Sequence, residues 1–122
     1  MRKRFAHQAM DKPALYEILD QYFDSFQRKD VVQMRGLVAN DICLRDWDTQ
    51  AIGLDDFLTA NQAIFESFDE IRIKRVATDI VEKKAFCLIE VGLNDLNPIT
   101  VMDVITVDEK GKIVSVEAYR QF

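Results

Sequence analysis

The sequence holds one histidine, two cysteines and four glycines among 122 residues. The single histidine, His7, stands ahead of the first helical pattern and is read as a surface residue with no partner in sight. Its isolation removes Ser-His-Asp and Cys-His nucleophilic schemes, and also the usual zinc sites, which need several His or Cys ligands. Cys43 and Cys87 show neither metal-ligand spacing nor a disulfide framework, so reduced thiols and a cytoplasmic setting are expected. The glycines form no phosphate-cradling loop, and neither a nucleotide nor any other cofactor is expected. No run approaches the roughly 20 apolar residues of a membrane span. The N-terminal "MRKR" is followed by no apolar stretch, which argues against a secretory signal. Basic residues are outnumbered, 16 against 21 acidic, for a net charge of -5. A nucleic-acid partner would need a basic face, so none is expected.

What is present reads as an ordinary globule, 48% hydrophobic and 30% charged, of a length that one domain with its own core accommodates. Residues 1–11 are read as a tail and residues 12–122 as one domain. Helical patterns fill the first half and strand patterns the second. This segregation predicts an α+β fold with helices packed on one face of a mostly antiparallel sheet. A first helix should begin near Pro13 and bury Leu15, Ile18/Leu19, Tyr22 and Phe26, at spacings of three and four. Asp30 and Gln33 offer a capping box for a short second helix within "DVVQMRGLVA". "DICLRDW" follows as a strand. A third helix is expected from about Leu54 to Phe68, with Phe57/Leu58, Asn61 and Ile64/Phe65 inward, so that polar Asn61 interrupts an apolar stripe. Strands are expected at roughly 70–81, 85–93, 99–107 and 112–122, separated by the turn sequences "EKK", "NDLNP" and "DEKGK", the last with glycine at a bulge.

Two carboxylates break the apolar pattern. In "ITVMDVITV", Asp103 shares its face with Ile99, Val101, Ile105 and Val107, where an ionised acid without partners is prohibitively costly. Desolvation should raise its pKa and keep it neutral, able to donate a hydrogen bond. Asp46 shares parity with Ile42 and Leu44 but ends its strand beside a polar turn, so it should stay ionised. Two acids pushed apart in proton affinity suggest distinct acid and base roles. Plainer readings stand beside these: a twisted or bulged strand would make Asp103 an edge residue, and backbone amides could satisfy either acid. Tyr22 could be a core tyrosine with a satisfied hydroxyl, and Asn61 either a ligand contact or a structural amide. Trp47, opposite in parity to Asp46, either lines a pocket mouth or covers the sheet edge. Asp48 is read as a local turn bond or a cap of the third helix.

"VMDVITVDEKGKIVSVEAY" resembles the last two strands of ketosteroid isomerases, and "YFDSFQRKDVVQMRGLVANDICLRD" is similar, without a gap, to the isomerase stretch from oxyanion-hole tyrosine to general base. Over residues 13–122 the chain resembles the nuclear transport factor 2-like superfamily, in its ketosteroid isomerase and SnoaL-like polyketide cyclase branch. The resemblance places Tyr22 and Asp103 on the oxyanion hole and Asp46 on the base; a protonated aspartic acid donating to the oxyanion is characteristic of these isomerases. The supporting tyrosines of the isomerases are replaced by Val38 and Asn61, and the segment from Asp46 to Gly53 is two residues shorter. The implied architecture is a cone, a cystatin-like α+β roll whose curved sheet wraps the helices around an apolar cavity. Its expected ligand-binding residues are Phe26, Trp47, Phe57, Asn61, Phe65, Val101 and Tyr119, with Leu44, Cys87 and Ile89 as further lining. The expected ligand is a hydrophobic small molecule with polar groups. Met102, Val104, Val114 and Val116 make the outer sheet face apolar enough to suggest a homodimer through it.

The functional expectation is a cofactor-free enzyme that moves a proton next to a carbonyl through an enolate, as an isomerase, cyclase or dehydratase. The alternative is a non-catalytic small-molecule-binding or assembly domain on the same fold. A hydratase or epoxide hydrolase would want an Asp-Arg-Asp arrangement, whereas Arg45 points away from Asp46 by parity.

Overall fold

The computed structural model describes residues 11–122; the "MRKR" segment and His7 lie outside them. Helix α1, Lys12–Arg28, begins where the sequence predicts: Asp11 caps it by accepting the Ala14 amide at 2.9 Å, and Pro13 occupies the first turn. Its buried stripe is Leu15, Leu19, Tyr22 and Phe23. The helix stops at Lys29, in left-handed conformation with φ 58°, and the Lys29 ammonium donates to the carbonyl of Phe68, beyond the third helix. That bond ties together the two helices that the sheet wraps.

Helix α2, Val31–Leu37, is shorter than its sequence pattern, because Val38 and Ala39 already belong to strand β1, Val38–Arg45. The capping box forms only half. Asp30 accepts the Gln33 amide at 3.0 Å, but the Asp30 amide turns to Ser25 O at 2.8 Å, and Gln33 Oε1 is left buried without a partner. A three-residue strand β2, Gln50–Ile52, precedes helix α3, Leu54–Ser67. The sequence reading did not include β2: three residues are too few for alternation to show. Strands β3 (Ile71–Val81), β4 (Lys84–Leu93), β5 (Ile99–Val107) and β6 (Ile113–Arg120) follow, each close to the expected range.

The six strands form one sheet in the order β2-β1-β6-β5-β4-β3. All neighbours are antiparallel except β1 and β6, which run parallel with Leu44 opposite Val116 and Arg45 opposite Glu117. Register shifts at Arg75/Ala77 in β3, at Val38/Cys43 in β1 and at Thr106/Val107 in β5 mark where the sheet bends, since an extra residue on one strand increases local twist. The "DEKGK" hairpin has Gly111 at φ 81°, and Asp108 accepts the amides of Lys110 and Lys112 at 2.8 and 2.9 Å. The concave face and the helices enclose a continuous core that includes Leu15, Leu19, Phe57, Ile105 and Ile113. Val116 belongs to this inner face rather than to the outer one: the irregularity between Thr106 and Val107 changes parity along β6.

The half-formed box yields a paired prediction. Asp30→Ala removes a cap and should lower unfolding stability by about 1 kcal/mol. Gln33→Met removes a buried oxygen that has no partner and should raise stability by about 1 kcal/mol. Urea denaturation of the two variants checks both signs.

Candidate active site

A cavity of about 310 Å³ opens between α1, α3 and the concave sheet face. Each polar group on its wall arrives by a separate local rule. Tyr22 comes from the α1 stripe, with its ring edge-to-face against Phe23 at 5.6 Å between centroids. The residue is 4% exposed. Asp103 comes from the alternation of β5, which points it inward with Val101 and Ile105, and it is 8% exposed. Across the sheet its neighbours are Cys87 and Ala118, two small side chains that leave room around the carboxyl group. Asn61 projects from the middle of α3 and is 3% exposed.

Burial is the main force on Asp103. Removed from water, its carboxyl group is pushed up to about 7, and the nearby Asp46 carboxylate adds to the rise. Burial also raises the Tyr22 phenol far above its ordinary value, with Asp103 contributing, so it stays protonated. The Cys87 thiol is pushed up to about 11, chiefly by burial, and remains a protonated spacer beside the acid. Among the described residues, neither the Tyr22 hydroxyl nor the Asp103 carboxyl is hydrogen-bonded to another protein group.

Asp46 ends β1 at the cavity rim. Its Oδ1 accepts the amides of Asp48 and Thr49 at 2.8 and 2.7 Å, and its own amide donates to Thr49 O at 2.9 Å. The turn bond expected of Asp48 is therefore made by Asp46. Nor does Asp48 cap α3, whose N-cap is Gly53 at φ 92° with no side-chain bond. The turn fixes the Asp46 carboxylate and leaves its second oxygen, Oδ2, without a protein partner among the described residues.

The structure thus brings Tyr22, Asp46 and Asp103 to one cavity, with Phe26, Trp47, Asn61 and Val101 on the same wall. Leu44 and Ile89 line it as well. Four expected lining residues do not. Phe57 is wholly enclosed by core, and Phe65 stands behind the wall, edge-to-face on Phe26 at 5.3 Å. Cys87 sits beside Asp103 without reaching the cavity. Tyr119 faces outward at 55% exposed, because Val116, Ala118 and Arg120 take the inward positions of β6. The sequence reading omitted Ile64, Thr49 and Arg120 from the wall. Parity with Asp103 through the β5–β6 hairpin could have found Arg120, which places its guanidinium 5.9 Å from the Trp47 ring centroid at the mouth. Among the described residues no group of three or more His, Cys, Asp or Glu side chains is arranged to hold a metal ion, and no helix is long and apolar enough to cross a membrane.

Comparison with known proteins agrees with this geometry. A provisionally named polyketide cyclase from Sinorhizobium meliloti superposes with a TM-score of 0.76 at 19% identity, covering 84% of this chain and 93% of its own. A provisionally named ketosteroid isomerase from Kribbella flavida gives a TM-score of 0.78 at 16% identity, covering 90% of this chain and 79% of its own. A de novo designed protein with a curved β-sheet also gives 0.78, at 12% identity, over 92% of this chain and 88% of its own, so likeness at this level speaks for the fold alone. No curated protein sequence matches the chain. The model of the SnoaL-like domain matches residues 19–116, a span running from α1 to β6. The chain belongs to the SnoaL-like domain family.

Proposed function

We propose that the protein is a cofactor-free enzyme that moves a proton next to a carbonyl group through an enolate. The observation that carries this reading is the pair of buried oxygen-bearing side chains, Tyr22 and Asp103, that line one cavity, with no hydrogen bond to either from another described residue. Unbonded polar groups in a low-dielectric wall cost stability, and they suit a ligand oxygen on which negative charge develops. The substrate carbonyl accepts hydrogen bonds from the Tyr22 hydroxyl and the neutral Asp103 carboxyl. Asp46 Oδ2 removes the proton from the adjacent carbon, and the charge that appears on the carbonyl oxygen is held by the two donors. Return of the proton to a different carbon gives isomerisation, attack of the enolate carbon on a second carbonyl gives cyclisation, and loss of a β-hydroxyl gives dehydration. At about 310 Å³ the cavity lies at the small end of the roughly 300–1,000 Å³ seen for ligand sites, which favours a compact substrate of one or two rings.

One observation favours a second reading. Asp46 Oδ1 is already engaged by two backbone amides, which is what a turn residue in a non-catalytic binding domain would also show. Asp46→Asn separates the two readings, because an amide oxygen can still accept the turn bonds but the side chain can no longer take a proton. With a panel of β,γ-unsaturated ketones as substrates, this variant should bind 2-naphthol, an enolate mimic, as wild type does and lose all measurable turnover. Tyr22→Phe and Asp103→Leu should each lower kcat by about a hundredfold or more. Tight 2-naphthol binding with no turnover of any ketone by wild type would establish the binding-only reading; no 2-naphthol binding at all would remove the enolate site.

The Asp103 carboxyl group sets the pH dependence. Its donor form is lost as pH rises through about 7, so kcat/KM should fall there, and Asp103→Asn should abolish that fall. Stability carries the same signature. The folded state holds a proton that the unfolded chain has released between 3.8 and about 7, so the unfolding free energy should decline across that window as pH rises and level off above it. Thermal melts of wild type and Asp103→Asn from pH 4 to 8 should converge at the acid end and separate at the other, with the variant the more stable.

We also propose a homodimer through the outer sheet face. There Phe86 lies opposite Val104 and Leu88 opposite Met102, with exposed Tyr119 next to Met102 on β6. A contiguous apolar band of this kind is a candidate interface. Light scattering should give twice the mass of one chain, and Leu88→Glu should halve it; a monomeric wild type refutes the proposal.

A further inference from the structure

Asn61 sits in the middle of α3, where an amide is a poor structural choice. Asparagine is a weak helix former, and burying a primary amide is costly unless it is hydrogen-bonded. Its Nδ2 donates to Phe57 O at 2.9 Å. That carbonyl is the acceptor one helical turn back, so it already serves the Asn61 backbone amide, and the side-chain bond rescues no orphaned group. What the bond does is fix polarity. A carbonyl can only accept, so the amide nitrogen must face Phe57 and Oδ1 must be the free end. Among the described residues Oδ1 takes no hydrogen bond from protein, and it is not sealed in: the buried oxygen without a partner is on Gln33, while Asn61 lines the cavity. A leucine here would fill the wall without any polar cost.

The cavity wall therefore presents two donors, on Tyr22 and Asp103, and a separate acceptor on α3. A ligand that satisfies all three carries an acceptor oxygen and, elsewhere on its skeleton, an O–H. We propose that Asn61 is a specificity-determining residue that accepts a hydrogen bond from a substrate hydroxyl, so that the substrate class is hydroxylated ketones rather than ketones whose remaining skeleton is pure hydrocarbon. This rests on the enolate-oxygen reading above, which supplies the other end of the ligand.

Calorimetric titration with naphthols tests it. 2-Naphthol supplies the oxyanion-like oxygen alone, the dihydroxynaphthalenes add a hydroxyl at each ring position, and their monomethyl ethers keep the second oxygen without its proton. At least one dihydroxynaphthalene should bind wild type about tenfold more tightly than its own ether and than 2-naphthol. Asn61→Leu should lose that preference, its affinity for the diol falling to that for the ether, and Asn61→Ala repeats the test should leucine disturb the packing of α3. Equal binding of every diol and its ether by wild type overturns the proposal without recourse to any variant, as does a preference that survives in the variants. If 2-naphthol binds and the diol preference is missing, the role of Asn61 falls alone. If 2-naphthol does not bind, the enolate reading falls and takes this inference with it.

Discussion

An acid on the inner face of a sheet, with valine and isoleucine along its strand, constrains everything around it. Asp103 meets that condition by holding its proton more tightly than an exposed acid does, and the raised affinity follows from burial first and from the Asp46 carboxylate second. Had a lysine or arginine stood at Cys87 or Ala118, the two cross-strand positions, the acid would be a structural ion pair with no reason to stay neutral. Small neutral neighbours at both positions offer the acid no counter-charge and leave space in front of it. The Tyr22 phenol depends on the same condition, because its own burial and the Asp103 charge both oppose its ionisation. One desolvated wall thus raises the proton affinity of both groups.

Asp46 lines the same cavity in a different setting. It lies at the end of β1, where the chain leaves the sheet, and the tight turn through Asp48 and Thr49 aims two amides at one of its oxygens. The same turn that stops the strand thereby orients a carboxylate at the rim and leaves one oxygen available. The geometry supports both a catalytic base and a simple turn residue, and what separates them is whether the remaining oxygen meets a substrate proton.

Much of the fold was legible because periodicity and punctuation agreed. Pro13 behind Asp11 started α1, Gly111 turned the last hairpin, and the alternation of β4 and β5 placed Cys87 and Asp103 on one face. What escaped was set by tertiary contacts. Strand β2 exists because β1 offers an edge, with Ala51 opposite Leu44, and three residues carry no pattern of their own. Gln33 looked like a reciprocal cap, but the Asp30 amide found the nearer Ser25 carbonyl. In the site, the polar members Tyr22, Asp46, Asn61 and Asp103 were visible as breaks in apolar stripes, whereas the apolar lining was only partly so. Phe57, Phe65 and Tyr119 carry the right chemistry, yet helix rotation and a bulge decide which aromatic faces a cavity and which backs its wall, and neither can be counted from sequence alone.

The polar groups also explain how a shared scaffold can host different activities. A sheet bent by bulges and closed by two helices leaves a hollow for geometric reasons, and a designed protein with a curved sheet reaches the same architecture. The hollow by itself selects nothing. In this chain it is lined by Leu44, Val101, Ile89 and other apolar residues, into which three buried polar side chains project from three different elements. A buried polar group costs more than an apolar one unless a hydrogen bond compensates it. Polar side chains on an otherwise apolar wall give a cavity its means of recognising a ligand, and they distinguish this hollow from the bare scaffold more sharply than its shape does.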